Sequence, residues 1–366
     1  MPPLPGTERH PHARAVLTAA LPPNGRPSHA YLFHGPAGAG KRAVARAFAA
    51  ELLADGAPDP RNARERVQHG VHPDLTWVTP SGAAEMLVGD VDEPVVAAAA
   101  RTPFEARRRV FVIERADTMN EQAQNRMLKT LEEPAAFAHL ILLTNRPGVL
   151  LETITSRCQP VRFDTPQPEE IAQALTRAKL AKGDGATAAA RLGLGDAERA
   201  QTVPALRKNA EALARAALAG DLSKRPWLAI LAQARKRGDE ALAEVETRVA
   251  AELELLPKRD RRRAEREGAE AARRAQRRAR TAALDQSLEL TGLWFRDVAC
   301  VADGAEDLVH AVDRLEALKE DAQRTDAHRA RAAVAAVDDA RAAFILNPTE
   351  ELLLEALAAR LVRELS

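Results

Sequence analysis

The sequence predicts an α/β domain with a parallel sheet, followed by all-helical regions. Apolar runs of strand length alternate with segments of helical periodicity as far as residue 165, and beyond that point only helical periodicity is present. Such alternation favours a parallel sheet covered by helices. Because 366 residues exceed one small core, we expect three domains with boundaries at Pro and Gly punctuation: 1–165, 166–222 and 223–366.

The first predicted strand is the apolar run at residues 31–33, which stops at Gly35. Val44, Phe48 and Leu52 then lie four residues apart, which predicts a helix with one apolar face. The other elements predicted for this domain are strands at 110–113, 140–144 and 161–163 and a helix at 120–132.

The chain beyond residue 165 begins with a linker at Pro166 and Pro168. We expect only helices there, because turn residues separate segments of helical periodicity. The first predicted elements are a helix at 169–182 that is broken by glycines at 183–185, helices from 196 to about 220, and a joint at 221–226. Further along, Leu284, Leu288, Phe295 and Val298 form an apolar helical stripe. A last helix is predicted at 349–365, after Asn347 and Pro348.

Composition restricts the function. The 53 Lys and Arg against 52 Asp and Glu give a net charge of +1, so no overall positive field would hold the chain on nucleic acid. Cys158 and Cys300 are the two cysteines, too few for a disulfide framework or a four-cysteine zinc site, and they indicate a reducing compartment. With no signal-peptide pattern and no apolar run near about 18 residues, we expect a cytoplasmic protein without a membrane partner.

A glycine-rich loop with the sequence GPAGAGK lies between the first predicted strand and helix. Gly35, Gly38 and Gly40 let backbone N–H groups turn toward a phosphate, and Lys41 reaches the terminal phosphates. Together with Arg42 these residues form a candidate nucleotide site. Arg42 stands, however, where a Ser or Thr hydroxyl would hold magnesium. The alternative is a retained loop that only shapes the fold.

The end of the strand at 110–113 weakens the case for hydrolysis. An active ATPase of this class usually carries Asp and then Glu there, for the metal and the attacking water. The residues here are Glu114 and Arg115, and an arginine cannot act as a base at neutral pH. The catalytic carboxylate is therefore expected to be missing.

Three motifs in the expected order carry a family resemblance: HAYLFHGPAGAGK at 29–41, NRMLKTLEEP at 125–134 and TSRC at 155–158. With them the chain resembles the delta-prime family of bacterial DNA polymerase III clamp-loader subunits, which are AAA+ proteins. The resemblance implies a helical lid at 166–222 and an all-α collar at 223–366, where LWFRDV and LNPTEELLLEAL look like collar helices. It also implies gamma/tau and delta subunits, the sliding clamp and primed DNA as partners.

The resemblance assigns roles residue by residue. Arg157 matches the arginine finger that reaches a neighbour's ATP, for which a planar permanent cation is suited; the alternative is an ion pair within its own domain. Thr144 matches the first sensor of the terminal phosphate, with Asn145 as the fallback. Arg199 looks like the second sensor on the lid, although a solvated surface arginine is an equal alternative.

One departure from the family is the stretch at 55–73, where relatives often carry a four-cysteine zinc module. It has no cysteine, and His69 and His72 cannot close a tetrahedral site alone. We therefore expect no metal, and a loop in place of the module. The expected cofactor is ATP or ADP, bound without efficient hydrolysis.

The strongest charge feature is the run at 258–280, with 11 basic and 4 acidic residues. A solvated helical arm is favoured over a path for DNA, because no aromatic residues are interleaved. The expected function is that of a loader-ring subunit that supplies Arg157 to a neighbouring ATPase and helps to place the clamp. Two alternatives stay open: a gamma/tau-type ATPase, and a direct DNA-binding module that uses 258–280.

Overall fold

The structure is a computed structural model that describes residues 4–21, 25–80, 85–255, 258–346 and 349–366. The chain forms two compact units, Met1–Pro166 and Gln167–Ser366. The first unit closes one residue after the expected end of the α/β domain.

A five-stranded sheet with the order β2-β3-β4-β1-β5 forms the centre of the first unit. All of its neighbouring strands pair in parallel, which confirms the predicted α/β class. The strands are β1 Ala30–His34, β2 Leu75–Val78, β3 Arg109–Ile113, β4 Ala138–Thr144 and β5 Gln159–Arg162. The sequence predicted four of them and missed β2 at the edge of the sheet.

Successive side chains of the inner strands pack on opposite faces of the sheet. Tyr31 and Phe33 pack with Phe48 on one face, while Leu32 packs with Met127 on the other. Every residue of β4 is buried. The strands are therefore near-continuous apolar runs, as expected for a parallel sheet covered on both faces.

The described residues of the first unit contain six α-helices. They are α1 Pro11–Ala20, α2 Lys41–Ala54, α3 Pro60–His69, the single turns α4 Val88–Val91 and α6 Glu152–Thr155, and α5 Glu121–Glu132. The sequence predicted two of them, α2 and α5. The prediction of a loop at 55–73 is wrong for residues 60–69, which form α3. Asp59 caps that helix by accepting from the backbone N–H groups of Arg61 and Asn62, each at 3.1 Å, and Pro60 occupies a first-turn position that needs no N–H donor.

In the described residues of the second unit, all regular secondary structure is helical, and turns connect the helices. Its helices are α7 Pro168–Arg177, α8 Gly183–Leu192, α9 Ala197–Leu218, α10 Trp227–Leu255, α11 Lys258–Ala302, α12 Leu315–Ala322, α13 Ala327–Ala342 and α14 Glu350–Leu365. The predicted helix at 169–182 ends earlier, and Gly183 and Gly185 begin α8 instead of forming a break. The buried α8 residues Ala186, Ala189 and Leu192 give tertiary packing that outweighs the low helix propensity of glycine.

One hydrophobic core extends through the second unit, from Ile171 in α7 to Leu365 in α14. The predicted apolar stripe is confirmed, because all four of its residues are buried. The helices on both sides of the proposed boundary at 222/223 contribute to this core, and that boundary stays a prediction. Asn347 and Pro348 lie outside the described residues. No helix among the described residues has both the length and the apolar character to cross a membrane.

Asp297 of α11 fixes the chain segment that follows the helix. Its carboxylate is fully buried and accepts from the backbone N–H groups of His310 at 3.0 Å and Ala311 at 2.8 Å and from the guanidinium of Arg296 at 2.7 Å. Burial alone would raise the pKa of this carboxyl, but the hydrogen bond with the His310 side chain, together with those from the two backbone N–H groups and Arg296, outweighs burial and the pKa lies below its ordinary value. The charged form is therefore part of the folded structure.

Asp297→Asn should lower the free energy of unfolding by about 2–4 kcal/mol, because a neutral amide would face backbone donors that need an acceptor. Urea unfolding followed by circular dichroism measures the change. Asp307→Asn on the exposed surface is the control, with an expected effect under about 0.5 kcal/mol.

The Asp297 contribution is present above the pKa of the unfolded carboxyl and is lost as the pH falls through the lower folded pKa. The stability difference between wild type and Asp297→Asn should therefore shrink in acid. Equal losses in Asp297→Asn and Asp307→Asn at neutral pH would contradict this assignment.

Candidate functional site

The carboxyl ends of the parallel strands bring the predicted site residues to one edge of the sheet. The glycine-rich loop follows β1, Glu114 follows β3, and Thr144 ends β4. Because β1 and β3 both pair with β4, the three positions lie on neighbouring strands. Ligands of open parallel sheets bind at this edge.

Two glycines shape the loop for different reasons. Gly35 has φ +145, and a Cβ there would lie 2.3 Å from the carbonyl oxygen of Phe163, so the loop passes against the chain that follows β5. Gly40 caps α2 with φ +82, and a Cβ there would meet nothing within 4 Å. Gly35 is required for space as well as conformation, whereas Gly40 is required for conformation alone.

Lys41 is folded onto its own loop. Its Nζ donates to the carbonyl oxygens of Gly35 at 2.8 Å and Pro36 at 2.6 Å, and the residue is 7% exposed. The ammonium is thus solvated by the backbone, as a buried cation requires. A phosphate would have to compete with these carbonyls before it contacts the lysine.

An ion pair joins Arg42 and Glu114, two of the three positions at which the sequence departs from an active ATPase; Arg115 is the third. Nε of Arg42 lies 3.6 Å from Oε2 of Glu114, and the same oxygen accepts from Nε1 of Trp77 at 2.8 Å. The guanidinium of Arg42 lies 5.9 Å and that of Arg46 lies 4.7 Å from the centre of the Trp77 ring, within cation–π range. The carboxylate of Glu114 therefore faces a partly exposed cation and a fixed hydrogen-bond donor, Trp77.

The first-sensor candidate Thr144 is buried and oriented by Asp117. Its hydroxyl donates to Oδ1 of Asp117 at 3.2 Å and accepts from the backbone N–H of Arg146 at 3.0 Å. Asp117 is 8% exposed and also accepts from Nε of Arg146 at 3.3 Å. Asp117 is not among the site residues predicted from the sequence, where its place four residues after the end of β3 was the available signal. The backbone N–H of the fallback residue Asn145 lies 3.4 Å from the same carboxylate.

Arg157 lies just beyond α6, with a side chain that is 36% exposed. Its guanidinium pairs with Oε1 of Glu132 at 2.8 Å and donates to the carbonyl of Thr153 at 2.9 Å. Glu132 is itself 48% exposed, and exposed pairs of this kind contribute only about 0.2–1 kcal/mol. Arg157 is thus paired within its own domain, and breaking its ion pair with Glu132 costs little free energy.

Cys158, the next residue, is buried, and burial raises the pKa of its thiol to about 12. A thiol at that pKa is not a nucleophile near neutral pH. Cys158 therefore serves in packing beside the exposed arginine.

Arg199 lies in the first turn of α9 in the second unit. Its guanidinium pairs with Glu289 of α11, which also pairs with Arg341 of α13 at 3.1 Å. The arginine is therefore part of an ion-pair network between helices. A role as second sensor stays a prediction.

The stretch at 55–73, expected to replace a zinc module, holds a hydrogen-bonded histidine. Nδ1 of His72 accepts from the backbone N–H of Asp74 at 3.2 Å, and its Nε2 lies 3.3 Å from Oε1 of Glu105. Burial, with a smaller effect from the nearby Arg66, lowers the pKa of His72. Among the residues that the structure describes, no group of three or more His, Cys, Asp or Glu is placed to hold a metal ion. The expectation of no zinc stays a prediction.

Part of the chain is similar to known subunits of bacterial DNA polymerase III. Residues 10–167 match the model of a family described as DNA polymerase III, delta subunit. The DNA polymerase III subunit delta' of Pseudomonas aeruginosa is 36% identical over 200 residues, which cover 50% of this chain and 61% of that protein. For the delta' subunit of Bacillus subtilis the identity is 37% over 153 residues, 40% of this chain and 45% of that protein.

The tau subunit of DNA polymerase III from Bacillus subtilis is 35% identical over 145 residues, 37% of this chain and 24% of that protein. The chain thus spans from 45% to 61% of the two delta' relatives and a smaller part of tau. The family match contains the loop, Thr144 and Arg157, and it ends before Arg199 and the basic run at 258–280.

Gly35→Ala should destabilise the protein more than Gly40→Ala, although both positions have positive φ. Both substitutions carry a backbone cost of about 1–2 kcal/mol, and Gly35→Ala adds a collision with the carbonyl of Phe163. Denaturant unfolding of the two variants measures the difference. Equal destabilisation would show that the close approach at Gly35 does not constrain the loop.

Proposed function

Because residues 10–167 match a family described as DNA polymerase III, delta subunit, and two delta' subunits are 36% and 37% identical to parts of this chain, we propose that it acts as a delta-prime-type member of the clamp-loader ring. In this role it supplies Arg157 to the ATP site of a neighbouring ATPase subunit and helps to load the sliding clamp onto primed DNA. Its partners are then gamma/tau and delta subunits, the clamp and, through the assembled complex, the DNA. The proposed location is the cytoplasm.

The observation that carries this proposal is the ion pair between Arg42 and Glu114. Hydrolysis in this class needs a hydroxyl ligand for magnesium after the loop lysine and a carboxylate to organise the metal and the water. In this chain the hydroxyl position is the cation Arg42, the carboxylate at the metal position, Glu114, faces that cation, and the position of the water-orienting carboxylate is Arg115. A subunit built this way is suited to serving a neighbour's site rather than to turning over ATP.

The site retains features that favour binding of phosphate without hydrolysis. The loop glycines and the start of α2 present backbone N–H groups to an anion, and Arg42 adds a second permanent cation beside Lys41. We therefore extend the proposal to ATP or ADP as a bound and unhydrolysed ligand. Thr144, held by Asp117, is the group placed to contact its terminal phosphate.

The position of Arg157 supports a role in trans. A finger must be exposed, and its resting partner must be weak enough to give way to a phosphate. The partly exposed pair with Glu132 meets both conditions, and the guanidinium fork can bind phosphate oxygens bidentately.

Arg157→Ala should lower DNA-dependent ATP turnover of the assembled complex, by about 10³-fold at the site that receives the finger, because arginine fingers contribute this much to the rate. Phosphate release by the complex with gamma/tau, delta and the clamp measures it. Arg157→Lys should recover only a small part, since lysine lacks the planar fork.

Arg126→Ala is the matched control, because Arg126 is an exposed arginine of α5 that pairs with Asp92 in the same unit. Its turnover should equal that of wild type, and size-exclusion chromatography should show intact assembly for all variants. Unchanged ATP turnover in the complex with Arg157→Ala would contradict the proposal that Arg157 is the arginine finger.

The alternative is a gamma/tau-type ATPase, favoured by the 35% identity to the tau subunit of Bacillus subtilis. Under our proposal the isolated chain with ATP and magnesium should release phosphate no faster than the Lys41→Ala variant, because the metal position holds Arg42. Turnover by wild type that is abolished in Lys41→Ala would favour the ATPase instead.

A further inference from the structure

The distal parts of α10 and α11 form a helical hairpin that stands apart from the core of the second unit. Ala234 in α10 and Ala283 in α11 are the limiting core residues on the two helices, and no described residue between them belongs to that core. The two helices instead pack on each other. A Cβ at Gly268 would lie 2.5 Å from Cγ1 of Val249, and one at Gly238 would lie 3.1 Å from the carbonyl oxygen of Gln276, so small residues allow the close contact.

The side chains described in the basic run are those of residues 261, 262, 265, 266 and 268–280; the rest of the run lies outside the described residues. Within it, Arg262, Arg266, Arg273 and Arg277 are exposed. At 3.6 residues per turn these four fall within about 60° around the helix axis and extend over about 22 Å. We call them the arginine stripe.

The arginine stripe is not neutralised by described carboxylates. No ion pair or hydrogen bond to a described residue involves any of the four, whereas their neighbours on α11 are paired. Arg274 pairs with Glu270 at 3.5 Å, and Arg280 pairs with Glu350. Gln276 donates to Asp239 of α10 at 2.9 Å. Four permanent charges therefore face solvent in one row.

A row of fixed arginines fits a partner that offers a row of fixed anions. Arg262 and Arg266, like Arg273 and Arg277, are about 6 Å apart along the axis, close to the spacing of phosphates along a nucleic-acid strand. No aromatic residue occurs between Trp227 and Trp294, so the hairpin offers no platform for stacking of unpaired bases. The residues that border the arginine stripe on the helix surface include Ala269 and Glu270 but no large apolar side chain. This composition disfavours insertion into a membrane surface.

We propose that the arginine stripe binds the phosphate backbone of duplex DNA without sequence preference. The inference goes beyond the loader role proposed above and does not depend on it. It reverses the expectation of a merely solvated arm, because the structure separates these four arginines from the paired ones on the same helix. The balanced charge of the whole chain then coexists with a local cationic row.

The test is fluorescence anisotropy of the full-length chain with a labelled 24-base-pair duplex between 50 and 200 mM NaCl. Four phosphate contacts predict a slope of log affinity against log salt near about −3.6, a loss of roughly 150-fold over this range. A variant with all four arginines of the stripe changed to Gln should lose most of this slope and at least about tenfold in affinity at 50 mM NaCl. Gln is chosen because it keeps helix propensity.

The matched control changes four other exposed, ion-paired arginines to Gln: Arg61, Arg329, Arg331 and Arg363. It removes the same charge and should bind DNA like wild type. Circular dichroism and thermal unfolding establish that each variant is folded. Equal losses in both quadruple variants would overturn the proposal, because binding would then follow net charge.

Three probes distinguish the partner. Two duplexes of unrelated sequence should bind equally. Tighter binding to a single strand of the same length would overturn the assignment to duplex. Binding to anionic phosphatidylserine vesicles with no binding to the duplex at 50 mM NaCl would assign the arginine stripe to membranes and overturn the proposal.

Discussion

The parallel direction of all five strands is the constraint on which the site depends. It brings the ends of β1, β3 and β4 to one edge, so that residues far apart in sequence become neighbours. Lys41 and Arg42 follow β1, and Glu114 follows β3. The order of the strands in the sheet brings Arg42 into contact with Glu114.

The sequence was sufficient for elements with strong periodicity and insufficient for those that depend on tertiary contacts. The loop and the strands β1, β3 and β4 were predicted because apolar runs beside glycine or polar residues are unambiguous. The short strand β2 was missed, since three of its four residues are only partly buried at the sheet edge. Gly183 was interpreted as a break because propensity alone cannot anticipate the packing of α8. The sequence alone shows the unusual residues after the loop and after β3, Arg42 and Glu114. It does not show that these two side chains contact each other.

Ion pairing separates arginines that look alike in the sequence. Arg199 belongs to a network with Glu289, and Arg157 has one partly exposed partner, whereas the described surroundings of Arg262 contain no such partner. A composition with nearly equal numbers of acidic and basic residues conceals this difference, because it averages over neutralised and unneutralised positions. The surplus of charge in one helix is meaningful only once its partners are known.

Helix α11 continues without interruption from Lys258 to Ala302, a length of about 67 Å. Its first half is part of the hairpin, while its second half carries Phe295 and Asp297 deep in the second unit. A rod of this kind works as a lever, because a small rotation at the packed end becomes a large displacement at the free end. Conversely, a load on the hairpin exerts torque on the very turn where Asp297 holds the following segment. Mechanical coupling between surface and core is thus a property of one continuous element and needs no hinge.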